Sequence, residues 1–282
     1  MAANTFTQAE KAKLFYDLHH LGKLLILPNI WDVLGAKLLQ DLGYPAIATA
    51  SASVAYSNGY NDGENISFTE VLFILKKITA SVNVPVTADI ESGYTDNEME
   101  LEQNIRQLIE TGIVGINIED TDKKTKTLLP AEVQCAKIKL IKKVSAEMNA
   151  PLFINARTDC FIHDKIFDSP QSRLEETIKR GIAYKAAGAD CFYPILFQKE
   201  DEIKAIVEEV DMPVNIIPVP GIPSLNVLEE IGVARVSLGP SFLKYAVKAM
   251  KDLAIKLQSH EGLEDITTND ITSEYLKHLV TK

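Results

Sequence analysis

Acidic side chains and one arginine alternate with apolar residues in three short segments near the middle of the chain. Asp89 and Glu91 stand two residues apart in the first segment, Glu119 lies in the second and Arg157 in the third. Successive side chains of a strand point to opposite faces, so these polar groups share the face that looks away from the apolar packing. If the segments are neighbouring strands of a barrel, three carboxylates and one guanidinium converge at its mouth.

Such a cluster needs positive charge. Three carboxylates in a partly dehydrated cavity repel one another, and one arginine does not neutralise them. A hard divalent ion with oxygen ligands does, so the pattern predicts a Mg2+ site, with Mn2+ as the alternative. Asp89 is the expected first ligand, with Glu91 and Glu119 binding directly or through water. Arg157 is then available for an anionic substrate. The competing interpretation is that these strand ends are simply hydrated.

The elements that would position these residues recur along the whole chain. Short apolar runs rich in β-branched residues alternate with longer amphipathic stretches, as in βα units around a parallel sheet. We predict one α/β domain over residues 1–282, a (β/α)8 TIM-type barrel with a preceding helix near residues 7–20 and a helical tail at 262–282. An open doubly wound sheet is the alternative, although no GxGxxG turn follows the first strand. The predicted strands are Leu24–Asn29, Ala46–Ser51, Pro85–Glu91, Gly115–Asp120, Leu152–Asp159, Cys191–Ile195, Val214–Val219 and Arg235–Gly239.

The composition argues against several classes of protein. A hydrophobic share of 46% and a charged share of 24% are typical of a soluble globular chain. The formal net charge of -10 opposes binding to nucleic acid or to anionic membranes. No apolar run approaches the roughly 20 residues that span a bilayer, and the three cysteines lack metal or redox spacing. We expect a cytoplasmic protein without a nucleic-acid or membrane partner.

Four segments of the chain resemble the isocitrate lyase/phosphoenolpyruvate mutase superfamily. Residues 88–94 (Ala-Asp-Ile-Glu-Ser-Gly-Tyr) resemble its D-x-[DE]-[TSA]-G-Y segment, and residues 155–159 (Asn-Ala-Arg-Thr-Asp) its A-R-T-D strand. Residues 117–120 and 235–240 resemble the acidic strand between them and the last strand of the small phosphonomutase-like members. The resemblance implies a barrel enzyme that binds Mg2+ and a 2-oxo or 2-hydroxy acid. It implies making or breaking a C–C or C–P bond through an enolate-like species.

The resemblance also implies a role for individual residues. Asp89 would be the principal metal ligand, with Glu91 and Glu119 holding metal-bound waters. Arg157 would bind the anionic end of the substrate, and Asp62 matches an aspartate near the metal. The implied substrate-binding residues are Ala50, Ser51 and Ala52, through their backbone N–H groups, together with Arg157 and Asn117.

The loop after the fourth strand departs from the superfamily pattern. Isocitrate and methylisocitrate lyases carry K-[KR]-C-G-H there, with the cysteine as acid/base, whereas residues 120–129 contain no cysteine. Cleavage of those two acids is therefore disfavoured. Lys124-Thr125-Lys126 loosely resembles the Lys-Thr-Asn stretch of the mutases, which makes Lys124 the candidate catalytic lysine of a lid. Ala48 replaces the tryptophan that covers the substrate in the mutase, so phosphoenolpyruvate mutase activity itself is in question.

The sequence is compatible with three functions. The first is a Mg2+-dependent lyase or mutase of a small 2-oxo or 2-hydroxy acid. The second is a decarboxylase or hydrolase of a 2-oxo-dicarboxylate at the same metal site, and the third is a non-catalytic barrel that binds a metabolite. We also expect a homo-oligomer, a dimer or tetramer, because the amphipathic stretch from Phe242 to Leu257 and the tail offer surface that a lone barrel does not need.

Overall fold

The structure is a computed structural model that describes residues 6–281. Each predicted apolar segment contains a strand, and most observed strands are shorter than predicted. The strands are β1 (Leu25–Leu27), β2 (Asn29–Ile30), β3 (Ile47–Thr49), β4 (Val86–Asp89), β5 (Gly115–Glu119), β6 (Phe153–Thr158), β7 (Cys191–Pro194), β8 (Asn215–Ile216) and β9 (Arg235–Ser237).

Within the described residues, nine strands occupy the eight positions of a closed parallel barrel. Strands β2 to β7 pair in chain order, and β8, β9 and β1 form a second sheet in the order β1-β9-β8. A bridge between Phe192 and Val214 joins β7 to β8. β1 and β2 are halves of one predicted strand, interrupted at Pro28, which has no amide hydrogen to donate to a ladder. The predicted (β/α)8 barrel is therefore confirmed, and the open sheet is wrong.

Helices follow the strands as the amphipathic stretches predicted. Several begin at a side-chain cap: the Ser67 hydroxyl accepts from the backbone N–H of Glu70, for instance, in a capping box. α7 ends at Gly188, which adopts the left-handed conformation (φ 107°) that a glycine C-cap favours. The helices are α1 (Gln8–Leu18), α2 (Val33–Asp41), α3 (Ser51–Ser57), α4 (Phe68–Ser81), α5 (Glu98–Glu110), α6 (Ala131–Glu147), α7 (Pro170–Ala187), α8 (Glu200–Val210), α9 (Leu225–Glu230), α10 (Ser241–Gln258), α11 (Leu263–Thr267) and α12 (Ser273–Thr281).

Apolar residues pack on both sides of the barrel wall. The outward residues of β4 and its end, Val86, Ala88 and Ile90, are buried in the main core with residues of the surrounding helices. A second cluster fills the amino-terminal end of the barrel, where Phe15 of α1 meets Phe153 with ring centroids 5.1 Å apart. α1 thus closes one end of the barrel and leaves the carboxyl ends of the strands for the polar residues.

The C-terminal helices α10 and α12 differ in how far their side chains are buried against the rest of the chain. α12 packs against α2 of the same chain, with Leu279 buried and the Tyr275 hydroxyl 3.3 Å from Asp41 Oδ2. By contrast, no residue of α10 is buried in the described part of the chain, and Tyr245 and Met250 expose 78% and 63% of their surface. Among the helices of residues 6–281, none has the length and apolar character needed to cross a membrane.

Candidate active site

The predicted acid cluster lies at the carboxyl ends of β4, β5 and β6. Asp89 ends β4 in register with Asn117, and Glu119 ends β5 in register with Arg157. Glu91 and Glu119 are almost fully buried, with exposures of 2% and 3%. The alternation seen in the sequence therefore aims these side chains into the mouth of the barrel.

Two cations bind the buried carboxylates. Lys123 Nζ lies 2.8 Å from Glu91 Oε2 and 2.5 Å from Glu119 Oε1. Arg157 Nη1 lies 2.8 Å from Glu119 Oε2, and its Nε donates to Asp159 Oδ1 at 2.6 Å. Charge balance at Glu91 and Glu119 therefore comes from the loop lysine as well as from the arginine.

Lys124, the candidate catalytic lysine of the lid, pairs with a different acid. Lys124 forms an ion pair with Asp96 at 2.5 Å, and 80% of its side chain is exposed. Asp122 Oδ1 accepts the backbone N–H groups of Lys124 and Thr125, a turn that sends consecutive lysines in different directions. Lys123 is the neighbour that enters the site. Its place in a basic stretch directly after the strand that ends at Glu119 is the sequence signal for it.

Asp89 is held by hydroxyl and amide donors. Ser51 donates to Asp89 Oδ2 through its hydroxyl at 3.0 Å and its backbone N–H at 3.4 Å. The Glu91 N–H donates to Asp89 Oδ1 at 3.2 Å. Ala50 is the N-cap of α3, so residues 50–52, predicted to bind a substrate carboxylate, form the start of a helix beside Asp89. At least one of their N–H groups already serves Asp89.

Two further predicted residues, Asp62 and Asn117, lie close to this carboxylate. The pKa of Asp62 is raised, chiefly by burial and then by the charge of Asp89, which places the two acids near each other. Asn117 is buried, and its Oδ1 accepts from Asn155 Nδ2 at 2.8 Å. Asn117 therefore lies beside the acids with one of its polar atoms already bound to a neighbouring strand.

Glu64, which sequence reasoning missed, holds the turn that carries Glu91. Its Oε1 accepts three hydrogen bonds, from the backbone N–H groups of Ser92 and Tyr94 at 3.0 Å and from the Ser92 hydroxyl at 2.7 Å. Its own N–H donates to Glu91 Oε1 at 2.8 Å. Glu91 and Tyr94 have positive φ angles (54° and 62°), and a Cβ at Gly93 (φ 106°) would come within 2.8 Å of Leu101. Glu64 compensates this uncommon backbone conformation.

Burial and neighbouring charges have opposite effects on the pKa values of Glu91, Glu119 and Lys123. Burial raises the pKa of Glu91, while Lys123 acts to lower it. Glu119 follows the same pattern: burial raises its pKa to about 8, against the opposing charges of Arg157 and Lys123. Burial acts to lower the pKa of Lys123, but Glu119 and Glu91 outweigh it, and the pKa is raised. Lys123 is therefore a cation at physiological pH, poorly suited to act as a base.

A second layer of hydrogen bonds supports Arg157. Asp159 Oδ2 accepts from the Thr121 hydroxyl at 2.6 Å, and that hydroxyl lies 3.1 Å from His163 Nε2. The Asp159 N–H donates to Asp120, a fully buried acid that also binds Arg180 and Tyr184. Arg157 is thus held on a rigid network.

The donor set suits a divalent cation held by few protein ligands. Within residues 6–281, no three His, Cys, Asp or Glu side chains are arranged to hold a metal ion by themselves. Mg2+ typically keeps several waters and takes one or two carboxylates together with substrate oxygens. In the same residues, no lysine or arginine forms an ion pair with Asp89, whereas Glu91 and Glu119 both bind Lys123. Asp89 therefore fits a direct ligand, and Asp62, Glu91 and Glu119 are its acidic neighbours.

Known proteins are similar to this chain in both sequence and structure. An uncharacterised protein of Mycobacterium tuberculosis (strain CDC 1551) is 36% identical over 225 residues, which cover 80% of this chain and 81% of that protein. A candidate phosphonomutase from Burkholderia cenocepacia J2315 has a crystal structure that matches with a TM-score of 0.81 at 34% identity, covering 87% of this chain and 99% of that one. Relatives with an assigned activity, at 24–27% identity, include lyases, a decarboxylase and a phosphomutase.

A more distant structure shares the fold. A phosphonopyruvate hydrolase, solved in complex with oxalate and Mg2+, matches with a TM-score of 0.83 at 22% identity, covering 97% of this chain and 95% of that one. The sequence itself matches the phosphoenolpyruvate phosphomutase family over residues 15–258. With the barrel closed and the acids at its mouth, the chain belongs to the phosphoenolpyruvate phosphomutase family, within the superfamily that also contains the methylisocitrate lyases.

Proposed function

We propose that the protein is a Mg2+-dependent lyase or mutase that acts on a small 2-oxo or 2-hydroxy acid. The observation that carries this proposal is Asp89: it is a carboxylate at the mouth of the barrel without an ion pair in residues 6–281, surrounded by Asp62, Glu91 and Glu119. The Mg2+ and oxalate bound by the related hydrolase support an oxo-acid at such a site.

A bound Mg2+ would act as a Lewis acid and stabilise the charge of an enolate-like species as a C–C or C–P bond is made or broken. The side chains of the protein orient the metal ligand and supply positive charge at the site. Ser51 and the Glu91 N–H orient the two Asp89 oxygens. Lys123 and Arg157 pair with Glu91 and Glu119 and act against the rise in pKa that burial causes. The 120–129 loop contributes Lys123, which contacts both buried acids.

The residues also favour a second candidate, decarboxylation or hydrolysis of a 2-oxo-dicarboxylate. Residues 120–129 contain no cysteine or histidine, and their lysine at the site is a cation. Decarboxylation needs no base to start bond cleavage: CO2 leaves with the broken C–C bond, and the remaining enolate then takes a proton from water. An oxaloacetate decarboxylase among the relatives supports this alternative.

The central test is Asp89→Asn, which keeps the shape of the side chain but removes its charge. We expect oxalate binding in the presence of Mg2+ to weaken at least about 100-fold, because the direct carboxylate ligand is lost. Isothermal titration calorimetry with and without Mg2+ measures this effect. Asp168→Asn, a change at an exposed loop residue, is the matched control and should bind as the wild type does.

Turnover then separates the candidate reactions. Oxaloacetate, phosphonopyruvate and branched malates, each assayed with Mg2+, distinguish decarboxylation, C–P cleavage or rearrangement, and C–C cleavage. Full metal-dependent turnover by an Asp89→Ala protein would contradict the proposed site. Tight Mg2+-dependent binding without turnover of any of these acids would instead identify a metabolite-binding barrel.

A further inference from the structure

Arg235 is a fully buried arginine without a counter-ion in the described residues. Its exposure is 0%, and its Nε donates to the Ser237 hydroxyl at 2.8 Å. Within residues 6–281, neither Nη1 nor Nη2 has a hydrogen-bond partner. Burying a charge in this way is costly unless something pairs with it. Near the site, Arg180, which is also buried, and Arg157, which is partly buried, each contact a carboxylate.

The neighbouring side chain of Asn215 is also buried without a hydrogen-bond partner among the described residues. Asn215 on β8 is in register with Arg235 on β9 and is fully buried. Neither its Oδ1 nor its Nδ2 has a hydrogen-bond partner among the described residues. Buried polar groups in native proteins nearly always bind a partner. Two adjacent side chains with unused N–H groups form a donor set that matches a planar carboxylate, which a guanidinium binds through two parallel hydrogen bonds.

The strand register places these donors beneath the acid cluster. The backbone of Arg235 pairs with Leu25 near the amino-terminal end of the barrel, but its Nε reaches Ser237, two residues further along β9. The side chain therefore extends toward the carboxyl ends of the strands. Burial lowers the pKa of Arg235, and Cys191, Tyr193 and Asp89 lie near enough to act against this effect. The guanidinium thus forms part of the floor under Asp89.

The other cations of the site are already occupied. Arg157 binds Glu119 and Asp159, and Lys123 binds Glu91 and Glu119. Across β1 from Arg235, Ala46 and Ala48 belong to the apolar cluster that fills the amino-terminal end of the barrel. An anionic group that enters the barrel below the metal would therefore meet Arg235 as its unpaired cation.

We propose that Arg235 and Asn215 form a carboxylate subsite beneath Asp89, and that the substrate of this protein is a dicarboxylate. One carboxylate and the 2-oxo group would lie at the metal, and the second carboxylate would bind Arg235. The inference rests on the proposed function and narrows its substrate class. A free small carboxylate such as formate has the same binding chemistry, so the test must separate the two sources.

The test compares two unreactive ligands that differ in one group. 3,3-Difluorooxaloacetate carries a second carboxylate where 3,3-difluoro-2-oxobutanoate carries a methyl group. With Mg2+ present, we expect wild-type protein to bind the dicarboxylate about 10-fold to 150-fold more tightly, as for a hydrogen bond to a charged group. In Arg235→Met the preference should fall below about 3-fold while the affinity for the monocarboxylate is unchanged. Isothermal titration calorimetry measures both.

Three variants make the result specific. Arg235→Lys keeps the positive charge but not the planar guanidinium, so it should retain part of the preference for the dicarboxylate. Asn215→Leu should lower the preference for the dicarboxylate, and it tests the subsite independently if Arg235→Met does not fold. Arg173→Met is the matched control, because Arg173 is also buried but stacks on Phe161, with its guanidinium carbon 4.0 Å from the ring centroid. It should keep the full preference.

The outcomes separate this inference from the proposed function. Equal binding of both ligands by wild-type protein would overturn the dicarboxylate assignment and leave the metal site standing. Stabilisation of wild-type protein by formate, lost in Arg235→Met and without a preference for the dicarboxylate, would also overturn it, since the subsite would then hold a free anion. Failure of both ligands to bind with Mg2+ would overturn the proposed function and this inference together.

Discussion

At the scale of single residues, the site depends on how buried charges are paired. Lys123 is held between Glu91 and Glu119, both almost fully buried. Removing Lys123 would leave Glu91 without its cation, while Glu119 would keep Arg157, and an unpaired buried carboxylate costs more than the loss of an exposed ion pair. The identity of the compensating cation therefore affects both stability and metal binding.

Lys123→Met tests this pairing. We expect the free energy of unfolding without Mg2+ to fall by about 1–3 kcal/mol, below the full cost of a buried pair because Lys123 keeps 16% side-chain exposure. Mg2+ should restore more stability to this variant than to the wild type, since the ion replaces the missing charge. Urea unfolding with and without Mg2+ measures both effects. Lys124→Met, at the exposed neighbour, should cost about 0.5 kcal/mol or less, and equal losses in the two variants would contradict the assignment.

At the scale of elements, α1 closes the barrel with a histidine that cannot ionise easily. His19 Nδ1 lies 2.8 Å from the carbonyl oxygen of Phe15, and its Nε2 has no hydrogen-bond partner in the part of the chain that the structure describes. Burial, aided by the charge of Arg235, lowers the pKa of His19 to about 3. The unfolded chain binds this proton at a higher pH than the folded chain does. Stability is therefore fully present above pH 6.5 and falls as the pH drops toward 3.

This linkage predicts a specific pH dependence. Between pH 7.5 and pH 5, the wild type should lose about 2 kcal/mol of unfolding free energy relative to His19→Gln, which has no imidazole to protonate. Urea unfolding of both proteins across this range measures the difference. His20→Gln, at the exposed neighbour on the same helix turn, controls for loss of an imidazole. A constant difference between the wild type and His19→Gln at all pH values would show that His19 is not buried by α1 in solution.

At the scale of the whole molecule, we propose that α10 packs against a second copy of the chain. None of its residues is buried among the described ones, although Tyr245 and Met250 present large apolar surfaces. A cavity of about 770 Å³ between α2 and α4, lined partly by Trp31, Leu34 and Phe73, offers an apolar counterpart. Exposed apolar surface of this extent typically marks an interface.

The oligomer can be tested by placing charge on α10. Wild-type protein should sediment as a dimer or tetramer at micromolar concentration, and the double variant Tyr245→Glu, Met250→Glu should shift toward monomer. Met99→Glu, at an apolar residue of α5 that is 74% exposed, is the matched control and should leave the assembly unchanged. A wild-type monomer in analytical ultracentrifugation would refute the proposal.

Local patterns in the sequence determined the barrel and the direction of its acids. Apolar runs alternating with amphipathic stretches predicted every βα unit, and a period of two residues placed Asp89, Glu119 and Arg157 on the inner face. These features follow from the geometry of a single strand or helix, which a few neighbouring residues decide. Pro28, which divides the first strand, is likewise visible in the sequence, although the prediction carried the strand through it.

Only the tertiary structure decided how the charges pair. Lys123 rather than Lys124 enters the site because the Asp122 turn and the carboxylates of two different strands select its direction. Glu64 binds a turn about 30 residues away, and Arg235 becomes an unpaired buried cation only because the closed barrel surrounds it. Contacts between residues far apart in sequence depend on the closure of the whole barrel, and no local periodicity encodes them.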